Sequence, residues 1–165
     1  MSYVESRTEF SFWSLWASPL IFATDPRGMS DSKRSILLNV EAIAVNQDAL
    51  SLGGGRLSSN ETSGAQVWSK PLSGGEVAVL LYNRGSYDDD TWGGGGAGVG
   101  VGFTWAQLGW GAGVVGPGGG YDVAMRDLWA HAAAAASDPD TGHTAVLDPR
   151  DVQFLRLKLV PKGTR

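Results

Sequence analysis

The sequence predicts an α+β chain in two parts, a helix, strand and helix over residues 1–52 and an antiparallel β-sandwich over residues 53–165. Three observations carry this. Residues Arg7 to Ala17 are apolar nearly all round a helical wheel, with Phe10, Trp13 and Ala17 on one face and Phe12, Leu15 and Trp16 on the next. The run Leu20 to Ala23 is short, apolar and bounded by Pro19 and Pro26, the pattern of a strand buried on both faces in a parallel sheet. Beyond about Gly53 the pattern becomes short strand-like runs separated by turn residues, which argues for an antiparallel sandwich.

Taken in order, Pro19 stops the first helix because proline lacks the N–H that the next turn needs. The turn Asp25, Pro26, Arg27, Gly28 leads to Ser30, an N-cap, with Asp31 where the positive end of a helix dipole favours an anion. These segments make one and a half units of a βα repeat. The Gly-Gly-Gly turn at Gly53 and the polar stretch to Gly64 read as a link between domains.

Five strands are expected after the link, over Gln66–Lys70, Glu76–Tyr82, Phe103–Ala106, Asp122–Leu128 and Val152–Leu159. In the second, both alternating faces are apolar, so it belongs at the centre of a sheet. In the last, Leu155, Leu157 and Leu159 oppose Arg156 and Lys158, the pattern of an edge or surface strand with one dry face. The low-complexity segments Gly93–Gly102, Gly109–Gly120 and Ala132–Ala136 read as expanded loops, because they carry few large side chains to offset glycine's ordering entropy.

Composition narrows the function. The 165 residues are too few for a complete (β/α)₈ barrel of about 250. Thirteen basic and seventeen acidic side chains, with no Lys/Arg cluster, argue against nucleic acid as a partner. With no cysteine there is neither a disulfide framework nor a thiolate metal site, and no cofactor is implied. No apolar stretch reaches membrane-spanning length, and Met1 to Glu9 lacks the basic-then-apolar order of a secretion signal.

Several runs carry a family resemblance through their order and spacing. They are FSFWSLWASPL with ATD at the strand end, AIAVNQD at Ala42–Asp48, VWSKPL from Val67, EVAVLLYNR from Glu76, FTWAQLG from Phe103 and MRDLWAH at Met125–His131. Together they resemble the C-terminal portion of an α-galactosidase (melibiase) of glycoside hydrolase family 27. The resemblance implies that residues 1–52 correspond to the final helix, strand and helix of the catalytic (β/α)₈ barrel, and residues 53–165 to the C-terminal sandwich. It departs at the loops after Arg84, Gly109 and His131, which look longer than the family's, and at LDPRDV from Leu147, where a Pro-His-Gly-like turn is common.

The family's reaction is retaining hydrolysis of terminal α-galactosides, which needs a nucleophilic carboxylate and an acid about 5–5.5 Å apart. Those two aspartates sit in motifs like YxKYD and RxxxD on the fourth and sixth barrel strands. Neither motif is in this chain, nor is the Trp-Asn-Asp-Pro-Asp-Met run that precedes the first matched helix, so no catalytic residue carries over. The chain alone is therefore expected to be inactive and structural, with the α-galactoside substrate and a secreted or vacuolar/lysosomal parent implied only through the missing barrel. Any signal peptide is expected upstream.

Individual residues have two readings. Asp25, at the C-terminal end of the barrel-like strand, is a substrate-rim candidate, but Asp before Pro is also a common turn opener and capping is the favoured reading. Asn60, Glu61 and Thr62 form an N-glycosylation acceptor. Asp88, Asp89 and Asp90 lack the ligand alternation of a calcium loop, and Gly93–Gly98 satisfies G-x-G-x-x-G without a following helix, so neither is a site. His131 and His143 are expected at loops or the surface.

Trp68, Trp105 and Trp129 are core residues or, in the alternative of a carbohydrate-binding module, stacking platforms. Phe10, Phe12, Trp13 and Trp16 together represent ~600–1,000 Å² of apolar surface, more than the ~300–600 Å² of a typical largest surface patch. They are expected to dock on the sandwich, on a barrel half or on another copy. Docking on a complete homologue through this helix is the scaffold alternative.

Overall fold

A computed structural model describes residues 1–23, 25–85 and 97–163. Three helices, α1 (Tyr3–Leu15), α2 (Asp31–Leu37) and α3 (Val40–Asn46), precede eight strands. These are β1 (Gly55–Ser59), β2 (Ala65–Pro71), β3 (Val77–Asn83), β4 (Val99–Thr104), β5 (Tyr121–Asp127), β6 (Ala132–Ala134), β7 (Gly142–Leu147) and β8 (Val152–Pro161). The α+β order is the one the sequence predicts.

α1 starts four residues earlier than its apolar pattern because of a capping box. Ser2 Oγ accepts from Glu5 N at 3.2 Å, and Ser2 N donates to Glu5 Oε2 at 2.8 Å. α2 starts at the expected cap, Ser30, whose hydroxyl accepts from Lys33 N. α3 is capped by Asn39, whose Oδ1 accepts from Glu41 N and Ala42 N.

A six-stranded antiparallel sheet has the order β1-β2-β3-β8-β5-β6, and a second sheet pairs β4 with β7. Alternation sorts each central strand onto two cores. Val79, Leu81, Leu155, Leu157 and Met125 face Val101, Phe103 and Trp105 inside the sandwich. Ala78, Leu80, Phe154 and Leu128 lie on the opposite face under Phe10, Leu15, Ile36 and Val45 of the helices. Gly142 allows the β4–β7 pairing to close, since a Cβ there would lie 2.1 Å from Phe103 O.

Several elements differ from the sequence reading. The run 20–23 forms no strand: Ile21 N donates to Pro19 O in a local turn, and Ile21 and Phe22 are 75% and 53% exposed. A parallel strand takes its hydrogen bonds from neighbours, and among the described residues none lies beside it. β8 is central, between β3 and β5, and its edge-like pattern arises because the helices cover only its first half, burying Val152 and Phe154 while Arg156 and Lys158 stay open.

The supposed link holds β1, and β7 adds a strand that the sequence reading lacks. Part of the alanine run is β6, paired to β5, and the first glycine segment ends inside β4. Trp105–Leu108 is a 3₁₀ turn capped by Thr104 rather than a continuing strand. The segment Gly109–Gly120 buries Trp110 and Val115 in the inner core, so it is packed rather than expanded.

Candidate functional site

The helical segment and the sheet are joined along a polar seam as well as an apolar one. Lys70 of β2 is fully buried, and its Nζ donates to Val45 O in the last turn of α3 at 2.6 Å. The end of a helix favours a cation there, and burial pushes the Lys70 ammonium down while the Asp48 charge opposes this. Asp48 accepts from Ser73 N and Ser73 Oγ in the β2–β3 turn.

Buried amides repeat the pattern. Asn46 Nδ2 donates to Trp13 O and Ser18 O, and Asn39 Nδ2 donates to Leu128 O. Gly54 N donates to Leu15 O at 2.8 Å, an approach that only glycine permits, because a Cβ would lie 2.6 Å from Leu15 Cγ. On the other flank Thr8 Oγ1 donates to Arg150 O, Arg150 pairs with Glu5, and Arg7 pairs with Asp151.

Glu41 of α3 closes a further set. It takes Arg126 Nε and Nη2 at 2.5 and 2.8 Å and His131 Nδ1 at 2.7 Å. The Arg126 guanidinium holds its carboxyl well down, from 4.5 to about 2. The sequence reading misses Lys70, Asn39, Asn46 and Glu41 as joining residues. Their signal is a Lys or Asn at a position whose alternation or helical face is otherwise apolar.

Phe10, Phe12, Trp13 and the C-cap Trp16 separate. Phe12 packs edge-on against Trp68 and Tyr82, with ring centroids at 5.4 and 5.1 Å, and Trp16 lies 5.8 Å from Trp68. Phe10 is buried against Trp129. The sandwich thus takes up Phe10 and Phe12 and part of Trp16, which remains 42% exposed. Trp105 is core, its Nε1 donating to Pro139 O, while Trp68 and Trp129 are half-buried. Trp68 lies edge-on beneath Phe12 and Trp16, which is not the open, flat platform of a sugar-binding module.

On the far side of α1 lies a cleft of about 660 Å³, lined by Phe10, Trp13, Ile21, Phe22 and Ile36 and rimmed by Glu9, Asp25 and Lys33. Asp25 Oδ1 accepts from Arg27 N at 2.9 Å, and the carboxylate pairs with the Arg27 guanidinium at 2.7–3.1 Å. That pairing holds Asp25 below the usual carboxylate range. Asp25 is thus suited to cap a turn and unsuited to donate a proton. Glu9, its acidic neighbour on this rim, is likewise exposed.

Asn60 is exposed at the tip of the β1–β2 hairpin, with its Oδ1 accepting from Thr62 N and Ser63 N. His131 lies in the β5–β6 turn. His143 differs from its expected surface position: it is buried on β7, accepting at Nδ1 from Ser137 N and bonding Gln153 through Nε2. Asp88, Asp89, Asp90 and the glycines 93–96 lie outside the described residues. Among the described residues no group of three or more His, Asp or Glu side chains is placed to hold a metal, and no helix is long and apolar enough to cross a membrane.

Comparison with known proteins agrees with this architecture. Residues 62–157 match the model of the α-galactosidase C-terminal β-sandwich domain, and residues 1–48 match that of α-galactosidase A. An α-galactosidase of Oryza sativa is 38% identical over 136 residues, covering 82% of this chain and 28% of that protein. α-Galactosidase 3 of Arabidopsis thaliana is 34% identical over 162 residues, covering 92% and 33%. The chain therefore spans about a third of the length of these relatives.

Among solved structures, α-galactosidase I of Mortierella vinacea superposes with a TM-score of 0.77 at 23% identity, covering 95% of this chain and 36% of that one. A family 27 β-L-arabinopyranosidase of Geobacillus stearothermophilus gives 0.76 at 20%, covering 100% and 32%. With the sandwich model matched over more than half its residues and a helical segment matched before it, the chain belongs to the α-galactosidase (melibiase) family of glycoside hydrolase family 27.

Proposed function

We propose that this chain is the bracing, C-terminal portion of a retaining α-galactoside hydrolase. In this reading residues 1–52 are the terminal piece of the catalytic barrel and residues 53–165 the sandwich. The cleft lined by Phe10, Trp13, Ile21 and Phe22 receives the preceding barrel elements. The observation that carries the reading is the buried seam, with Lys70, Asn39, Asn46 and Gly54 holding helices to sheet. A segment built only to bind sugar needs no such joint to a helical layer.

Asp25 serves as a turn cap on the barrel rim, and the catalytic pair comes from outside this segment. Asn60, exposed and in an acceptor triplet, is the glycosylation position if the protein passes through a secretory compartment. The test is to assay the purified chain on a chromogenic α-galactoside, alone and mixed with the barrel portion of a plant relative cut before its matching segment. Activity is expected only in the mixture. Turnover by the chain alone, well above a blank, sinks the proposal.

A further inference from the structure

The first two turns of α1 are held differently from the rest of the helix. Among the described residues neither hydrophobic core includes a side chain before Phe10, and of residues 1–9 only Thr8 is buried. A short helical segment in water is marginal without packing, so polar contacts decide whether these turns stay down. The second half is docked by other means, with Asn46 Nδ2 donating to Trp13 O at 3.0 Å, Gly54 N donating to Leu15 O, and Phe12 against Trp68 and Tyr82.

The polar contacts of the first half converge on the turn between β7 and β8. Arg150 Nη1 donates to Glu5 Oε1 at 2.9 Å, Thr8 Oγ1 donates to Arg150 O at 2.7 Å, and Arg7 pairs with Asp151. Glu5 serves two partners at once: Oε2 accepts from Ser2 N in the capping box while Oε1 holds Arg150. The start of the helix and its tie to the sandwich therefore share one carboxylate.

The backbone of that turn is fixed without these side chains. Asn83 of β3 clamps it: the Asn83 carbonyl accepts from Arg150 N, its own N–H donates to Asp151 O at 3.1 Å, and Nδ2 donates to Leu147 O at 2.8 Å. Arg150 nevertheless sits at φ 67°, a left-handed conformation that glycine adopts freely and arginine adopts under strain. The backbone alone favours glycine here, and the guanidinium is what arginine adds. Arg150 and Glu5 are each 31% exposed, and Arg7 and Asp151 each 22%, so both pairs are shielded enough to attract and open enough for salt to weaken.

We infer that the β7–β8 turn is an ionic latch on α1: Arg150 and Asp151 hold Glu5 and Arg7, and when those pairs part, the first two turns lift while the helix from Phe12 onward stays docked. The same two turns supply Ser6 and Glu9 to the wall of the larger cleft, so the latch sets whether that wall is in place. Its parts all lie within the described residues, and it holds whether or not a barrel fills the cleft.

The test is amide hydrogen exchange of the whole chain, followed by NMR at low salt. Arg150→Gly relieves the backbone and removes the guanidinium, whereas Glu5→Gln keeps a capping-box acceptor and removes the charge. Each is expected to speed exchange at Ser6 to Phe10 about three- to ten-fold, with Trp13 to Trp16 and the strands unchanged, and the double variant is expected to add little to either alone. In about 1 M sodium chloride the unaltered chain should approach the variants, which should themselves respond less. A turn that needs only a left-handed residue gives the opposite result for Arg150→Gly, with α1 exchange slower or unchanged. The inference is overturned by that result, by a rise spread evenly over the chain, by additive effects of the two substitutions, or by an equal response of all forms to salt.

Discussion

Lys70 Nζ reaches from β2 to Val45 O at 2.6 Å, placing a fully buried cation against the C-terminal turn of α3. Both ends of that bond lie beneath protein, so its loss is not repaired by water. Lys70→Met, which keeps most of the volume, is expected to destabilise the chain by roughly 1.5–3 kcal/mol through the stranded carbonyl. Lys70→Ala adds a cavity and is expected to cost roughly 2–5 kcal/mol. Urea unfolding measures both, and midpoints equal to that of the unaltered chain would show that the bond does not join helix to sheet.

Glu41 gives the seam a pH dependence of definite sign. Its carboxyl titrates at about 2 when folded and near 4.5 when free, so its contribution is fully present above pH 4.5 and fades as the pH falls through about 2. Arg126 is half exposed, and solvent screening leaves a contribution of about 1–3 kcal/mol. Thermal melts on the acid side should therefore fall less steeply in Glu41→Gln than in the unaltered chain. Parallel acid limbs would count against the assignment.

Ile21 and Phe22 are the most open large apolar side chains of the cleft beside α1. With no described residue covering them, the chain is expected to self-associate. Ile21→Ser with Phe22→Ser should shift sedimentation toward the monomer and leave the melting temperature nearly unchanged, because neither residue is buried. Association that persists in the double variant points to Trp16 or another face instead.

How much of this was readable from sequence depends on whether the determinant is local. The α2 cap at Ser30, the central β3 and the dry face of Leu155 and Leu157 all follow from patterns within a few residues, and all are present. Whether β8 is an edge or central depends on which distant strands pair with it, and half of its second face is covered by a helix some 140 positions away in sequence. The strand Ala132–Ala134 was hidden for a different reason. Alanine has little strand propensity, and its state is set by pairing to Met125, Arg126 and Asp127.

The candidate site divides in the same way. Asp25 as a turn cap was legible because the Asp-Pro pair acts over two residues. The polar seam was not, because it joins Lys70 of β2 to Val45 of α3 and Asn39 to Leu128, partners 25 and 89 positions apart.

The open stretch from Leu20 to Ala23 has one more consequence. An open apolar stretch is the usual seed of fibrillar stacking, which needs six or seven pairing residues in a row. Here Pro19 and Pro26, each without an N–H, close the window on both sides at that lower limit. The prolines that frame the segment therefore act as gatekeepers, so small discrete assemblies are favoured over endless ribbons while the segment stays uncovered.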